Sequence, residues 1–243
     1  MAHLVAVNPQ VHKNCYVFPE QAESAGAELQ LIPVVPSEVA HVACQMPVVL
    51  TKNEQTGQFV LAAMTGFEPK QNLFWQDGRW QGLYLPLQLQ RQPFFLGKND
   101  DEGTDYAVCL DMQNPAVGQG QQVPAGAQAL FSATGVDTEY YQNAKQILAG
   151  ILQGEAQVQQ LTQLLMTMAL IQPMSLDITF ADKSSTRLKG LYTIDQQKLA
   201  ALESAHIVLL HQKGLLATVY SLINSVSQIY ALIERKNQQL ASL

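Results

Sequence analysis

Charge is scarce in this chain. Only 14% of its 243 residues are Asp, Glu, Lys or Arg, where roughly 25% is usual for a globular protein, and glutamine fills much of the polar share. The 14 basic side chains are outnumbered by 20 acidic ones, which leaves a net charge of −6, and no basic run offsets it. A duplex nucleic-acid binder needs a basic surface to displace the counterions of phosphate, so that class is excluded. Cysteine is scarce too. Cys15, Cys44 and Cys109 are three in number and far apart, which excludes a disulfide framework and predicts reduced, mostly buried thiols. The segment Met1 to Gln10 has no basic n-region, and Asn8, Pro9 and Gln10 interrupt its apolar residues. No Sec-type signal is therefore expected, and the expected location is cytoplasmic, with export by a signal-less route left open.

Motifs with built-in chemistry are missing as well. The histidines are His3, His12, His41, His206 and His211. The last two are five apart on an expected helix, not at the four-residue spacing that converges on one ion, and no Cys-x-x-Cys exists. The acidic group Asp100, Asp101, Glu102 and Asp105 lacks the alternating oxygen ligands and closing Glu of a calcium loop, so it reads as a solvated loop. No metal and no cofactor are expected. There is no Gly-x-Ser-x-Gly elbow and no Ser-x-x-Lys paired with Lys-Thr-Gly. Cys109 sits in the strand-like Val108-Cys109-Leu110, where apolar surroundings keep a thiol unreactive. Gly118-Gln-Gly120 lacks the third glycine and the Lys-Ser/Thr ending of a phosphate loop. No catalytic residue can be assigned, although an enzyme with a quieter signature stays open.

What the chain does have is pattern. The length suits one large domain or two small ones. Up to about Asp111, short apolar runs such as Pro47 to Leu50, Phe59 to Met64 and Ala107 to Leu110 read as strands. Prolines at 9, 19, 33, 36, 47, 69, 86 and 93 make long helices improbable there. Residues 114–136, rich in Gly and Gln, read as a linker. Asp137 is the expected N-cap of a helix in which Ala144, Ile151, Val158 and Leu165 recur every seven residues, up to about Ile171 and the stop at Pro173. Gly150 and Gly154 each weaken that helix by about 1 kcal/mol relative to alanine, leaving one helix or two. Met174–Phe180 and Arg187–Thr193 read as a hairpin, followed by an Asp195-capped helix 196–202, a helix from Ser204 to about Gln212, a break at Gly214 and a last helix 215–236. The expected class is α+β in a single domain, with a β-rich region over residues 1–113, a linker over 114–136 and a helical region over 137–243 that contains a hairpin.

Leu215 to Ile233 carries no charge across 19 positions, close to the ~20 residues that span a bilayer. Its apolar residues, however, fall on one helical face, with Thr218, Ser221, Ser225 and Gln228 opposite. That pattern predicts a core helix and no integral membrane segment, with membrane-surface attachment as the alternative.

The sharpest local signal is the hairpin Asn72–Leu83, whose Asp77-Gly78 suits the two left-handed positions of a type I′ turn. The two-residue loop sets Trp75 opposite Trp80 and Gln76 opposite Arg79. Asn72, Trp75, Asp77, Arg79, Trp80 and, downstream, Arg91 form the candidate partner-binding residues, because aromatics beside arginines are enriched at interfaces. The same residues equally suit a hairpin packed on a core. An enzyme reading places Asp77 and Asp111 in a cleft with Arg79 or Arg91.

These segments resemble the bacterial SapC family. Asn72-Leu73-Phe74, Asp77-Gly78-Arg79-Trp80, Leu85-Pro86 and Gln92-Pro93-Phe94 follow the order of its central block. Arg91-Gln92-Pro93-Phe94 departs from the family's Arg-Arg-Tyr-Pro-Phe-like stretch by keeping one arginine and replacing tyrosine with glutamine. Cys109-Leu110-Asp111, Ala129-Leu130-Phe131, Pro173-Met174, Gly190-Leu191-Tyr192, Ile194-Asp195, Lys198-Leu199, Leu202 and Gly214 to Leu222 continue the match, which runs from about Pro47 to the C-terminus. The resemblance implies an accessory role in surface-layer biogenesis or beside halogenase-like and oxygenase-like enzymes. It implies a protein partner and supplies no catalytic residue or cofactor.

Overall fold

The computed structural model describes residues 3–98 and 106–242; the acidic group at 100–105 lies outside them. The strands are β1 (Leu4–Ala6), β2 (Cys15–Val17), β3 (Leu31–Pro33), β4 (Val48–Lys52), β5 (Phe59–Met64), β6 (Trp75–Gln76), β7 (Arg79–Trp80), β8 (Phe94–Lys98), β9 (Tyr106–Asp111), β10 (Val117–Gln119), β11 (Gln128–Ala129), β12 (Ile171–Thr179) and β13 (Ser185–Ile194). The helices are α1 (Pro9–His12), α2 (Pro19–Ala22), α3 (Pro36–Ala43), α4 (Leu87–Gln90), α5 (Glu139–Thr167), α6 (Gln196–Ala200), α7 (Ser204–Gln212), α8 (Leu216–Ser225) and α9 (Gln228–Ala241). The class is α+β. The chain divides into two compact units, Met1–Gly26 with Asp77–Arg79 and Leu87–Leu152, and Ala27–Gln76 with Trp80–Pro86 and Gln153–Leu243.

Unit 1 holds two antiparallel three-stranded sheets, β1-β9-β8 and β10-β2-β11. Residues 114–136, expected to be a linker, instead carry β10 and β11, which flank β2 on both sides. Cys15 and Val17 of β2 point inward and pack with Phe94, Leu110, Leu130, Phe131, Tyr141 and Leu148. Tyr16 points the other way, and Gly118 lets its ring lie close, since a Cβ there would come within 2.3 Å of it. That glycine serves a strand contact. Burial pushes the Tyr141 hydroxyl up to about 12, with the Asp137 carboxylate adding to it.

The cap of α5 is Thr138, one residue beyond the expected Asp137. Its hydroxyl accepts from the Tyr141 amide at 3.3 Å and donates to the Ala129 carbonyl at 2.6 Å. Asp137 pairs with Lys145 instead. α5 is one helix of 29 residues and ends at Thr167, earlier than expected. Ala169 turns left-handed with φ 52°, and the Leu170 amide bonds back to the Leu165 carbonyl at 2.9 Å. Pro173 therefore stops nothing. It sits in β12, at the edge of the unit 2 sheet, where a missing N–H is tolerated.

Unit 2 is built on a five-stranded antiparallel sheet in the order β12-β13-β4-β5-β3. Val48, Val49 and Leu50 are consecutive and all buried, as are Leu61 to Met64, so both faces of the central strands are covered. α8 packs against β4, β13 and α3. The last helix is two, with α8 and α9 bent by 40°. Ser225, expected on the polar face, is fully buried at the break, where its hydroxyl accepts from the Val48 amide at 2.9 Å and donates to the Leu222 carbonyl at 2.7 Å. Thr218 is buried too, and the bend shifts the helical phase, so Leu232 turns inward while Tyr230 is 78% exposed. No single helix among the described residues is long and apolar enough to cross a membrane. On α9 the buried Lys236 reaches Glu68 at 3.7 Å, and Asn237 accepts from the Ala181 amide in the β12–β13 turn.

The two glycines of α5 have different surroundings. A Cβ on Gly154 would lie 2.4 Å from the Cβ of Val35, whereas one on Gly150 would meet nothing within 4 Å. Gly154→Ala should therefore destabilise the protein by about 1–3 kcal/mol, overriding its better helix propensity. Gly150→Ala should stabilise it by about 0.5–1 kcal/mol. Chemical denaturation of the two variants checks the opposite signs.

Candidate functional site

The hairpin of β6 and β7 turns at Asp77 and Gly78, with φ of 50° and 74°, the two left-handed residues of a type I′ turn. Its ladder is only two residues long on each strand, so the alternation that would face Trp75 to Trp80 does not govern the packing. Trp80 stacks on Phe74 instead, with centroids 5.4 Å apart and planes at 22°. Phe74, 1% exposed, also carries the Arg235 guanidinium 4.3 Å from its ring centre. Burial lowers the proton affinity of Arg235, but the contact keeps the cation over an aromatic face. Asn72 starts the segment. It is buried, and its side-chain oxygen accepts from the Phe74 amide at 2.9 Å.

Beyond Trp80, one side chain of the loop that follows α3 directs the backbone. The Gln45 amide donates to the Tyr84 carbonyl at 2.7 Å and accepts from the Leu83 amide at 2.6 Å. The Trp80 indole N–H donates to the same Tyr84 carbonyl at 3.1 Å. Gly82 gives both groups room, since a Cβ there would lie 2.6 Å from the Trp80 Nε1 and 2.9 Å from the Gln45 Oε1. The Tyr84 ring stacks on His41 with centroids 5.3 Å apart. Leu83, between these anchored groups, is 97% exposed.

Among the six residues singled out from sequence, Trp75, Asp77, Arg79 and Trp80 share the hairpin. Asp77 and Arg79 are exposed, and Trp75 and Trp80 are half-buried. Arg91 lies outside the hairpin, just after α4. Its Nε donates to the Gln88 side chain at 2.6 Å, its Nη1 donates to the Phe94 carbonyl at 2.8 Å, and its guanidinium lies 4.2 Å from the Phe95 ring centre. Asp111, the second carboxylate of the enzyme reading, accepts from the backbone amides of His3 at 2.9 Å and Gln113 at 3.1 Å. Two open clefts in unit 2, of about 370 and 520 Å³, are lined by none of these residues. Among the described residues no group of three or more His, Cys, Asp or Glu converges on a point. Sequence reasoning missed Gln45 and Leu83; the bonds of Gln45 to Leu83 and Tyr84 span 38 and 39 positions, and no local pattern marks them.

The profile of the SapC family matches residues 7–232. The chain belongs to the SapC family. The match extends the resemblance seen from Pro47 onward back to residue 7, through β2 and β3. No curated protein matches this SapC chain, and neither does any solved structure.

The packing of the hairpin assigns different costs to neighbouring residues. Trp80→Ala should remove the stack on Phe74 and the bond to Tyr84, lowering stability by about 3 kcal/mol. Arg79→Ala, at an exposed position, should change it by less than about 0.5 kcal/mol. Thermal and denaturant unfolding of the two variants measures the difference.

Proposed function

We propose that this SapC-family chain is a non-catalytic accessory protein that holds a protein partner through the segment Trp75 to Tyr84. The partner is a component of surface-layer assembly or of a halogenase-like or oxygenase-like modifying system, and the encounter takes place in the cytoplasm. One observation carries this reading: Leu83 stands 97% exposed on a backbone fixed on either side by Gln45 and Trp80. An apolar side chain held out by an ordered backbone loses little conformational entropy on binding, which favours an interface anchor. Arg79 and Trp75, a residue type each enriched at hot spots, lie on the same short stretch of chain. The alternative of an enzyme with a carboxylate and arginine cleft has less support, since Asp111 and Arg91 both hold backbone groups.

Photo-crosslinking residues placed at 79 and 83 in the full chain, in its native host, test the reading. Both positions should yield one discrete adduct that mass spectrometry identifies as a surface-layer or modifying-enzyme component. Val136, 61% exposed, serves as the control position. With the purified partner, Arg79→Ala should weaken binding by more than about 1 kcal/mol while the melting temperature holds. Absence of an adduct at 79 and 83, or the same adduct at 136, would contradict the proposal.

A further inference from the structure

A second feature of unit 2 is independent of the hairpin. The cleft of about 520 Å³ opens between the β4–β5 turn and the C-terminal half of α5. Its lining includes Lys52, Thr56, Gln58, Phe59, Gln159 and Gln163. In a protein of net charge −6 this lining contains one cation and no carboxylate. Lys52 also lines the neighbouring cleft, where Glu54 of the same turn stands.

The cation is positioned. Lys52 Nζ lies 5.4 Å from the ring centre of Phe59 and 5.8 Å from that of Tyr192, and those rings meet edge to face at 4.9 Å. Aromatic faces hold an ammonium in place without neutralising it, and Lys52 has no ion pair among the described residues. The turn beside it is fixed as well. The Asn53 side chain accepts from the amides of Gln55 at 2.9 Å and Thr56 at 3.0 Å, and Gly57, with φ 68°, returns its N–H to the Asn53 carbonyl at 2.8 Å. Thr162, 4% exposed, forms a piece of the floor, its hydroxyl donating to the Gln159 carbonyl at 3.2 Å. The side-chain amides of Gln58, Gln159 and Gln163 make no hydrogen bond to protein among the described residues. Each both donates and accepts, which matches hydroxyl groups.

We infer that this cleft binds a small hydroxylated organic anion, a carboxylate or phosphate on a polyol or sugar body, with Lys52 on the anionic group and the three glutamine amides on the hydroxyls. The Phe59 ring supplies an apolar wall for the carbon skeleton. A cation in a lining free of carboxylates selects for negative charge, and neutral amides add directional contacts without a further desolvated charge.

The test is a titration of isotope-labelled full-length protein with D-glucuronate, glucose 6-phosphate and neutral glucose, followed by amide chemical shifts. One or both anions should shift the amides of residues 52–59 and 159–166 with saturation, and which anion does so identifies carboxylate or phosphate as the group read. Lys52→Met keeps an unbranched side chain but removes the charge, and should weaken anion binding by at least about tenfold. Gln163→Leu should weaken it as well. Added salt should weaken anion binding to the unmodified protein, a readout that needs no variant. The inference is overturned if neither anion shifts these amides, if glucose shifts them as strongly as the anions, or if binding is indifferent to both Lys52→Met and salt.

Discussion

One glutamine amide sets the course of the chain from Trp80 to Tyr84. Gln45 satisfies the Leu83 N–H and the Tyr84 carbonyl together, and the Trp80 indole adds a second donor to that carbonyl. Two backbone groups of a loop are thereby paired by side chains and not by a ladder, which a two-residue hairpin is too short to supply. Gly82 is required because any larger residue would enter the space that the indole and the amide share. The consequence for function is that the segment is ordered while Leu83 remains in solvent.

Local chemistry in the sequence anticipated the structure wherever the deciding contact is local. The Asp77-Gly78 turn, the β12–β13 hairpin, the Asp195 cap whose carboxylate accepts from the Lys198 amide at 3.0 Å, and the left-handed Gly214 all fall where the residues place them. The departures share a different cause, since each is decided by a partner distant in sequence. Ser225 turns inward because Val48, 177 positions away, offers its amide. β10 and β11 form within residues 114–136 because β2, about a hundred positions earlier, has two free edges. Trp80 stacks on Phe74, and its indole N–H bonds to the Tyr84 carbonyl that Gln45, 39 positions earlier, also holds. Four of the six candidate site residues do share one hairpin, but the residues that hold its continuation in place, Gln45 and Gly82, were invisible to pattern.

The low charge density has a structural counterpart. Among the described residues the ion pairs are few, and cations rest on aromatic rings instead: Arg91 on Phe95, Arg235 on Phe74, and Lys52 on Phe59 and Tyr192. Arg235 and Arg91 are half-buried members of the packing, while Lys52 is exposed at the mouth of a cleft lined with amides. The same kind of contact thus supports the frame in two places and leaves a poised positive charge in a third.

The central claim, that the Gln45 amide orders the segment that presents Leu83, is measured most directly by amide hydrogen exchange at Leu83. The Leu83 N–H should be protected from exchange in the native protein although its side chain is in water, and Gln45→Leu should abolish that protection while the amides of β4 and β5 keep theirs. A Leu83 amide that exchanges as fast as an unstructured chain in the unmodified protein would contradict the account.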